Sequence, residues 1–354
     1  MDKVKDIMER WNALQPLSER DREMLSRRFT IDFNYNSNHI EGNTLTYGQT
    51  EILLLFGKII GEANAKDVQE MTASNAGLRM MTEEAKLRDI PLTQNFIRAL
   101  HKTLLREDYT VYSNLPGGRT TSYTIHAGEY KTRPNSVITR YGNRFEYASP
   151  EETQALMTDL VNWYNEAEHS GKFTPVELAA LFHYRYIRIH PFEDGNGRIA
   201  RLMTNYILTR HDYPMIVVRS RKKNEYLEAL HKTDLTVGAS PSLGAHASKR
   251  DIQQFLTYFS RLFVDEVTYS IRFLTERGDN IWWFDGQRIN FRSASTSKIL
   301  NLMHSVPDIT IADLSGKVGI NTAAVNKQIR QLTDKGYIQR SANGDWRLVI
   351  TPSV

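Results

Sequence analysis

Not one of the 354 residues is a cysteine, which removes disulfides, thiolate zinc sites and cysteine nucleophiles from consideration. Long apolar runs are missing too: none exceeds the stretch at 52–56, far short of the roughly 20 residues that a membrane-spanning helix needs. The opening residues, with Asp2, Lys3, Lys5 and Asp6, contain no apolar core of a signal peptide, so a cytoplasmic chain without a membrane partner is expected. A dominant charge of one sign is also lacking. With 45 Lys and Arg against 41 Asp and Glu, the net charge of +4 by itself says little about nucleic acid. What is present, 40% hydrophobic and 24% charged residues, suits a globular protein, and the length suggests two or three domains.

Helical periodicity dominates, and three helix starts carry capping boxes, in which a hydroxyl takes the N3 amide and the N3 side chain returns the bond. They are Thr46 with Gln49, Ser149 with Glu152, and Thr174 with Glu177; Pro150 and Pro175 then occupy the first helical position, where a missing N–H costs nothing. Residues 122–147 are rich in β-branched and aromatic side chains around Tyr141-Gly142-Asn143, which predicts one strand pair in an otherwise helical domain. Residues 238–248 read as a loop or linker, followed by a helix with Ile252, Phe255, Leu256, Phe259, Leu262 and Phe263 on one face. Beyond about residue 293, helices are predicted over 297–305, 310–318 and 322–335, then a hairpin of residues 337–340 and 346–350 about Asn343-Gly344. Helix, helix, helix, hairpin is the order of a winged helix.

Chemistry concentrates between a helix running from Pro175 to about Arg188 and another from about Arg198 to His211. There the chain reads Ile189-His190-Pro191-Phe192-Glu193-Asp194-Gly195-Asn196-Gly197-Arg198-Ile199-Ala200-Arg201. Gly195-Asn196-Gly197 opens a helix, where unpaired amides and the positive dipole end favour a phosphate. Arg198 and Arg201, three apart, can reach successive phosphates with forked guanidiniums. His190 can take a hydroxyl proton at neutral pH, and Asp194 offers a hard oxygen to Mg²⁺. Phe192 reads as an apolar anchor for the loop.

This segment resembles the Fic motif, His-x-Phe-x-Asp/Glu-Gly-Asn-Gly-Arg-x-x-Arg, at every position. The resemblance implies a mainly α protein: a helical Fic core over 91–236 with a β-hairpin flap. It also implies transfer of AMP from ATP to a Ser, Thr or Tyr hydroxyl of a protein target, the chain itself included, and a homodimer. Carried over by position, His190 is the base, Asp194 holds Mg²⁺, Asn196 and the amides of Gly195 and Gly197 orient the α-phosphate, Arg198 meets the α/β region and Arg201 the γ-phosphate. Related Doc-type proteins carry lysine at the position of Gly197 and phosphorylate, so adenylylation is the expectation here. Gly128-Glu129-Tyr130-Lys131 and the strand through Val137 resemble the Fic flap, which would dock the target by strand addition; a plain cover for the core is the alternative. Tyr226, in Asn224-Glu225-Tyr226-Leu227-Glu228-Ala229-Leu230, resembles the residue beside the adenine, although that segment would equally suit core packing.

Upstream, Ser37-Asn38-His39-Ile40-Glu41-Gly42-Asn43 matches the Fic inhibitory pattern Ser/Thr-x-x-x-Glu-Gly/Asn. Ser37 and Glu41 share a helix face, Gly42 suits a helix end, and Glu41 is expected to form a bidentate pair with Arg201. The other reading of Glu41 is a solvent-facing charge. It is also a candidate for orienting a water that removes AMP. At the far end, Asn326, Lys327, Gln328, Arg330, Gln331 and Lys335 lie on the third winged helix, with Arg340 and Arg347 in the wing. That set suits DNA, while Asp334 and Asp345 dilute it and a protein-binding module remains the alternative. A DNA-binding regulator whose Fic core senses ATP is therefore the second functional reading. The expected organisation is an N-terminal helical region with the inhibitory helix (1–90), the catalytic core (91–236), a linker with a connecting helix (237–292) and a C-terminal winged helix-turn-helix domain (293–354).

Overall fold

The computed structural model describes residues 2–114, 120–138, 144–341 and 343–353. The chain opens with four helices, α1 (Asp2–Asn12), α2 (Glu19–Ile40), α3 (Tyr47–Phe56) and α4 (Ala65–Ala85), then α5 (Gln94–Leu105). Four short strands follow, β1 (Tyr109–Asn114), β2 (Thr120–Ile125), β3 (Ser136–Ile138) and β4 (Arg144–Glu146). Next come α6 (Pro150–His169), α7 (Pro175–Ile189), α8 (Asn196–Arg210), α9 (Lys223–Val237), α10 (Pro241–Ala245) and α11 (Gln253–Thr275). The last part runs β5 (Ile281–Phe284), β6 (Gln287–Asn290), α12 (Ala294–Ser305), α13 (Ile311–Val318), α14 (Thr322–Asp334), β7 (Ile338–Arg340), β8 (Trp346–Leu348) and β9 (Thr351–Pro352). Among the described residues no helix is long and apolar enough to cross a membrane.

Contacts divide these elements into two units, one of Met1–Met8, Asn36–Asn43 and Gln69–Val264, the other of Glu9–Tyr35, Thr44–Val68 and Asp265–Val354. At the centre of the first lie α7 and α8, both buried on almost every side. The capping boxes at Ser149 and Thr174 close as their spacing demands, with Pro150 and Pro175 in the first turn. Around these helices pack the rings of Tyr164, Phe182 and Tyr206, and the apolar face of α11 from Phe255 to Phe263 is buried as its period requires.

Two strand pairs, not one, interrupt the helices. Tyr109 faces Ile125 in the β1–β2 hairpin, which begins before the stretch recognised as β-rich, and Ser136 faces Glu146 in β3–β4. The turn at Tyr141-Gly142-Asn143 lies outside the described residues. Nor is 238–248 a free linker. It holds the short helix α10, and buried Arg188 donates from Nη2 to the carbonyls of Gly238 and Ser240, both at 2.8 Å, while Arg185 Nε donates to that of Ala247 at 2.9 Å. Satisfying these carbonyls fixes a segment whose composition alone suggests a loop.

In the second unit the capping box of Thr46 starts α3. Helices α12, α13 and α14 and the β7–β8 hairpin enclose Ile299, Leu300, Met303, Leu314, Val325, Leu332, Ile338 and Trp346. Burying each such side chain contributes roughly 1.5–3 kcal/mol. An unanticipated sheet of order β6-β5-β9 adds Trp282 to this core. Its β5–β6 turn is Asp285-Gly286, both at positive φ, the type of tight hairpin that Asp-Gly favours.

Candidate functional site

The site is built at the junction of α7 and α8. His190 ends α7 in the left-handed region, φ 52 and ψ 60, with its N–H on the Tyr186 carbonyl at 2.9 Å. Gly195 opens α8, also left-handed at φ 75, and no side chain caps that helix. The amides of Asn196 and Gly197 that follow therefore lack a side-chain acceptor, the condition for an anion site at a helix start. Between the two, Asn196 clamps the loop: its Oδ1 accepts from Phe192 N at 3.0 Å and its Nδ2 donates to Phe192 O at 2.7 Å. The Asn196 side chain is thus committed to loop shape.

Phe192 is fully buried, as its reading as an anchor requires, and stacks at 3.7 Å on His101. His101 Nδ1 accepts from Gly128 N–H at 2.9 Å, which makes the other nitrogen the donor to the Asp194 carbonyl at 3.1 Å. Burial holds this imidazole neutral, its pKa down to about 4. The Asp194 carboxylate accepts from Gly195 N at 2.6 Å, Tyr109 OH at 2.7 Å and Arg198 Nη2 at 3.4 Å. Burial alone would raise its pKa, but Arg198 and these hydrogen bonds hold it below the usual carboxylate range. Its side chain keeps 43% exposure, and it stands without the further His and carboxylate partners of an all-protein metal cage among the described residues.

The His190 ring stacks on Tyr147 at 3.8 Å and 11°. Its Nδ1 is buried without a well-aligned hydrogen bond among the described residues. Burial, helped by the Lys131 ammonium, lowers its pKa to about 3 against the opposing pull of the Ile187 carbonyl, Glu41 and Asp194. The ring is a neutral acceptor at physiological pH.

Arg198 and Arg201 are both buried, 4% and 3% exposed. Arg201 Nε donates to Ser37 Oγ at 3.0 Å, and its Nη2 donates to Ser37 O at 2.9 Å and Glu41 Oε1 at 2.6 Å. The pair with Glu41 is not bidentate as expected. Ser37, one turn upstream, presents a hydroxyl and a carbonyl to the same fork, so the carboxylate receives one nitrogen. Burial would raise the Glu41 pKa, but Arg201 and then Arg198 outweigh it and hold the carboxyl ionised. Gly42 follows at φ 98, the left-handed helix exit its type favours. Gly197 lies beneath: a Cβ there would collide with Glu41 Oε1 and press on Arg201.

Tyr226 is 3% exposed, with its hydroxyl 2.8 Å from His183 Nε2. Of the two readings of its segment, core packing is the one this placement matches. The flap residues Tyr130 and Lys131 sit against the loop, Tyr130 tilted on Phe192 at 5.3 Å with its OH on Gln94 at 2.9 Å. Val137 faces Phe145 in β3–β4. Sequence reasoning missed His101, Tyr109 and Asn135. A histidine on the buried stripe of α5 was the one available signal, and nothing local marks the other two.

In the second unit Lys327, Arg330, Gln331 and Lys335 of the DNA set are exposed. Gln328 is instead spent on α12, bonding Thr296 Oγ1 at 2.7 Å and Ser295 Oγ at 2.9 Å. The wing arginines are engaged too, Arg340 over Trp346 at 3.4 Å and Arg347 over Phe56 at 4.5 Å, because planar guanidiniums stack readily on rings.

A Fic/DOC family model matches residues 91–208, and one for winged helix-turn-helix DNA-binding domains matches 292–339. Protein adenylyltransferase fic-1 of Caenorhabditis elegans is 29% identical over 233 residues, covering 66% of this chain and 42% of that protein. Protein adenylyltransferase Fic of Drosophila melanogaster is 30% identical over 196 residues, covering 55% and 36%. The chain spans about two fifths of the length of the curated relatives it matches. A Fic family protein from Desulfovibrio desulfuricans, 20% identical, shares the fold at a TM-score of 0.57 over 98% of this chain and 94% of that one. A Fic-domain-containing signaling protein from Bacteroides thetaiotaomicron superposes at a TM-score of 0.71 over 78% of this chain and 100% of that one, with 50% identity. Identity at that level across a whole solved chain, added to a core in which every motif position is present, makes this chain a member of the Fic/DOC family.

Proposed function

We propose that this chain is a protein adenylyltransferase that moves AMP from ATP to a Ser, Thr or Tyr hydroxyl of a protein, itself included, and that Glu41 restrains it. The observation that carries the reading is the junction of α7 and α8, where a neutral imidazole ends one helix and two buried guanidiniums begin the next within twelve positions. His190 takes the proton of the target hydroxyl, whose oxygen attacks the α-phosphorus in line. The bond to the bridging oxygen breaks and pyrophosphate leaves. Positioning and charge stabilisation supply most of the rate. The uncapped start of α8 receives phosphate oxygens on backbone amides, and Arg198 and Arg201 neutralise the chain of phosphates.

Asp194, ionised and part-exposed, fits a magnesium ion that takes one protein carboxylate and completes its shell with phosphate oxygens and water. Such an ion would supply further neutralisation of the polyphosphate. A target strand laid along β3 would present its hydroxyl near His190. Incubating the chain and its Glu41→Gly variant with labelled ATP and Mg²⁺, alone and with lysate, and identifying the acceptor by mass spectrometry tests the proposal; no label on any protein would refute it. A further role for Glu41, orienting a water to remove AMP, predicts that wild type strips a pre-modified target and Glu41→Gly does not. The exposed Lys327 and Arg330 of α14 favour the second reading, DNA binding by the winged helix.

A further inference from the structure

Four successive carbonyls around the catalytic histidine are claimed from a single short segment of the flap. Lys131 Nζ donates to Ile189 O at 3.1 Å, Asn135 Nδ2 to His190 O at 3.4 Å, Lys131 N to Pro191 O at 2.8 Å, and Asn135 Nδ2 again to Phe192 O at 2.9 Å. The two flap residues are themselves tied, since Lys131 Nζ donates to Asn135 Oδ1 at 2.8 Å. Lys131 is 4% exposed, an unusual place for an ammonium unless its donors are used.

These bonds fall where the backbone most needs them. Carbonyls past the end of α7 have no helical partner, and His190 holds a left-handed conformation that a residue with a Cβ seldom keeps unaided. Such a conformation persists when its surroundings over-determine it. Resting on the adenylyltransferase reading, we infer that Lys131 and Asn135 are positioning residues for His190, fixing the backbone of the base from the flap rather than from its own loop. Neither need touch the nucleotide. Because Asn135 directly precedes β3, the docking edge and the base share one side chain. The Lys131 ammonium also adds to burial in holding the resting imidazole neutral.

The test uses the full chain carrying Glu41→Gly, compared with the same chain bearing Asn135→Asp, Asn135→Ala or Lys131→Met. Asn135→Asp keeps shape and the acceptor for Lys131 but turns an oxygen toward two carbonyls. Expected is a fall of about tenfold to hundredfold in kcat for AMP transfer, the scale of loss when a reacting group is misplaced by about 1 Å. ATP affinity, measured by calorimetry, stays within about twofold of the parent, which also reports that the variant is folded. Turnover within about twofold of the parent in Asn135→Asp would overturn the inference. So would a loss that tracks ATP affinity instead of kcat. A parent that transfers no AMP at all removes the adenylyltransferase reading and this inference with it, whereas an active parent with equally active variants removes only the inference.

Discussion

Arg201 holds the Glu41 carboxylate at 2.6 Å through a single nitrogen, which it shares with the Ser37 carbonyl. A guanidinium so occupied has to leave these partners before it can serve a γ-phosphate. One charge-assisted hydrogen bond is worth about 1.5–3 kcal/mol when buried, and the part-exposed carboxylate puts this one at the lower end. Glu41→Gly should raise AMP incorporation about tenfold, and Ser37→Ala, which removes a neutral acceptor, about twofold to fivefold. Radiolabel incorporation reads both; equal rates in wild type and Glu41→Gly would discard the restraint.

The ring of His190 should stay neutral well below the range in which a free histidine protonates, because burial and Lys131 both disfavour the cation. Histidine-selective labelling with NMR between pH 8 and 5 should show its resonance unmoved, the His190→Ala chain identifying the peak. A midpoint near 6.5 would contradict the lowering of this pKa by burial and the Lys131 charge. His190→Ala should also lose AMP transfer at least a hundredfold while binding ATP.

Acid should weaken the first unit. His101 and His183 are buried, with pKa values lowered by desolvation to about 4 and about 3. Both therefore gain protons near 6.5 only in the unfolded chain. Where the unfolded state binds more protons, stability rises with pH, so the contribution is complete above 6.5 and lost as pH falls toward 4. The loss is about 2 kcal/mol at most per histidine between pH 7 and 5. Thermal unfolding at the two pH values reads it, and His101→Gln should flatten the slope. A Tm that holds constant from pH 7 to 5 would contradict this.

For the winged helix, gel retardation of duplex DNA should weaken steeply with salt, and Lys327→Ala or Arg330→Ala should each reduce the slope of log K against log salt by about 0.9. Wing variants at Arg340 should matter less, since that guanidinium already lies over Trp346. No retention even at low salt would point to a protein partner.

Features written within a few residues were legible in the sequence. The boxes at Thr46, Ser149 and Thr174, the winged-helix order and the turn from His190 to Arg201 each depend on neighbours one helical turn away. The supports of that turn were not. Tyr109 reaches Asp194 across 85 positions and His101 reaches the same residue across 93, distances over which no periodicity speaks. Asn135 in the sequence is simply a polar residue after a proline. The Glu41 contact was found because a pattern marked it, yet its geometry depended on Ser37 and so differed from the fork expected. The β5–β6 hairpin is a different case: it was missed although Asp285-Gly286 marks its turn locally, and its third strand, β9, pairs from 68 positions beyond Trp283 at Thr351.

Gly197 leaves room for Glu41 because it has no side chain to fill that space. A bulkier residue there, as a Doc-like lysine would be, has to push the tip of the Glu41 side chain from its present place. On the proposed reading, the space that admits the restraining carboxylate is the same small volume that a larger side chain at this position would take.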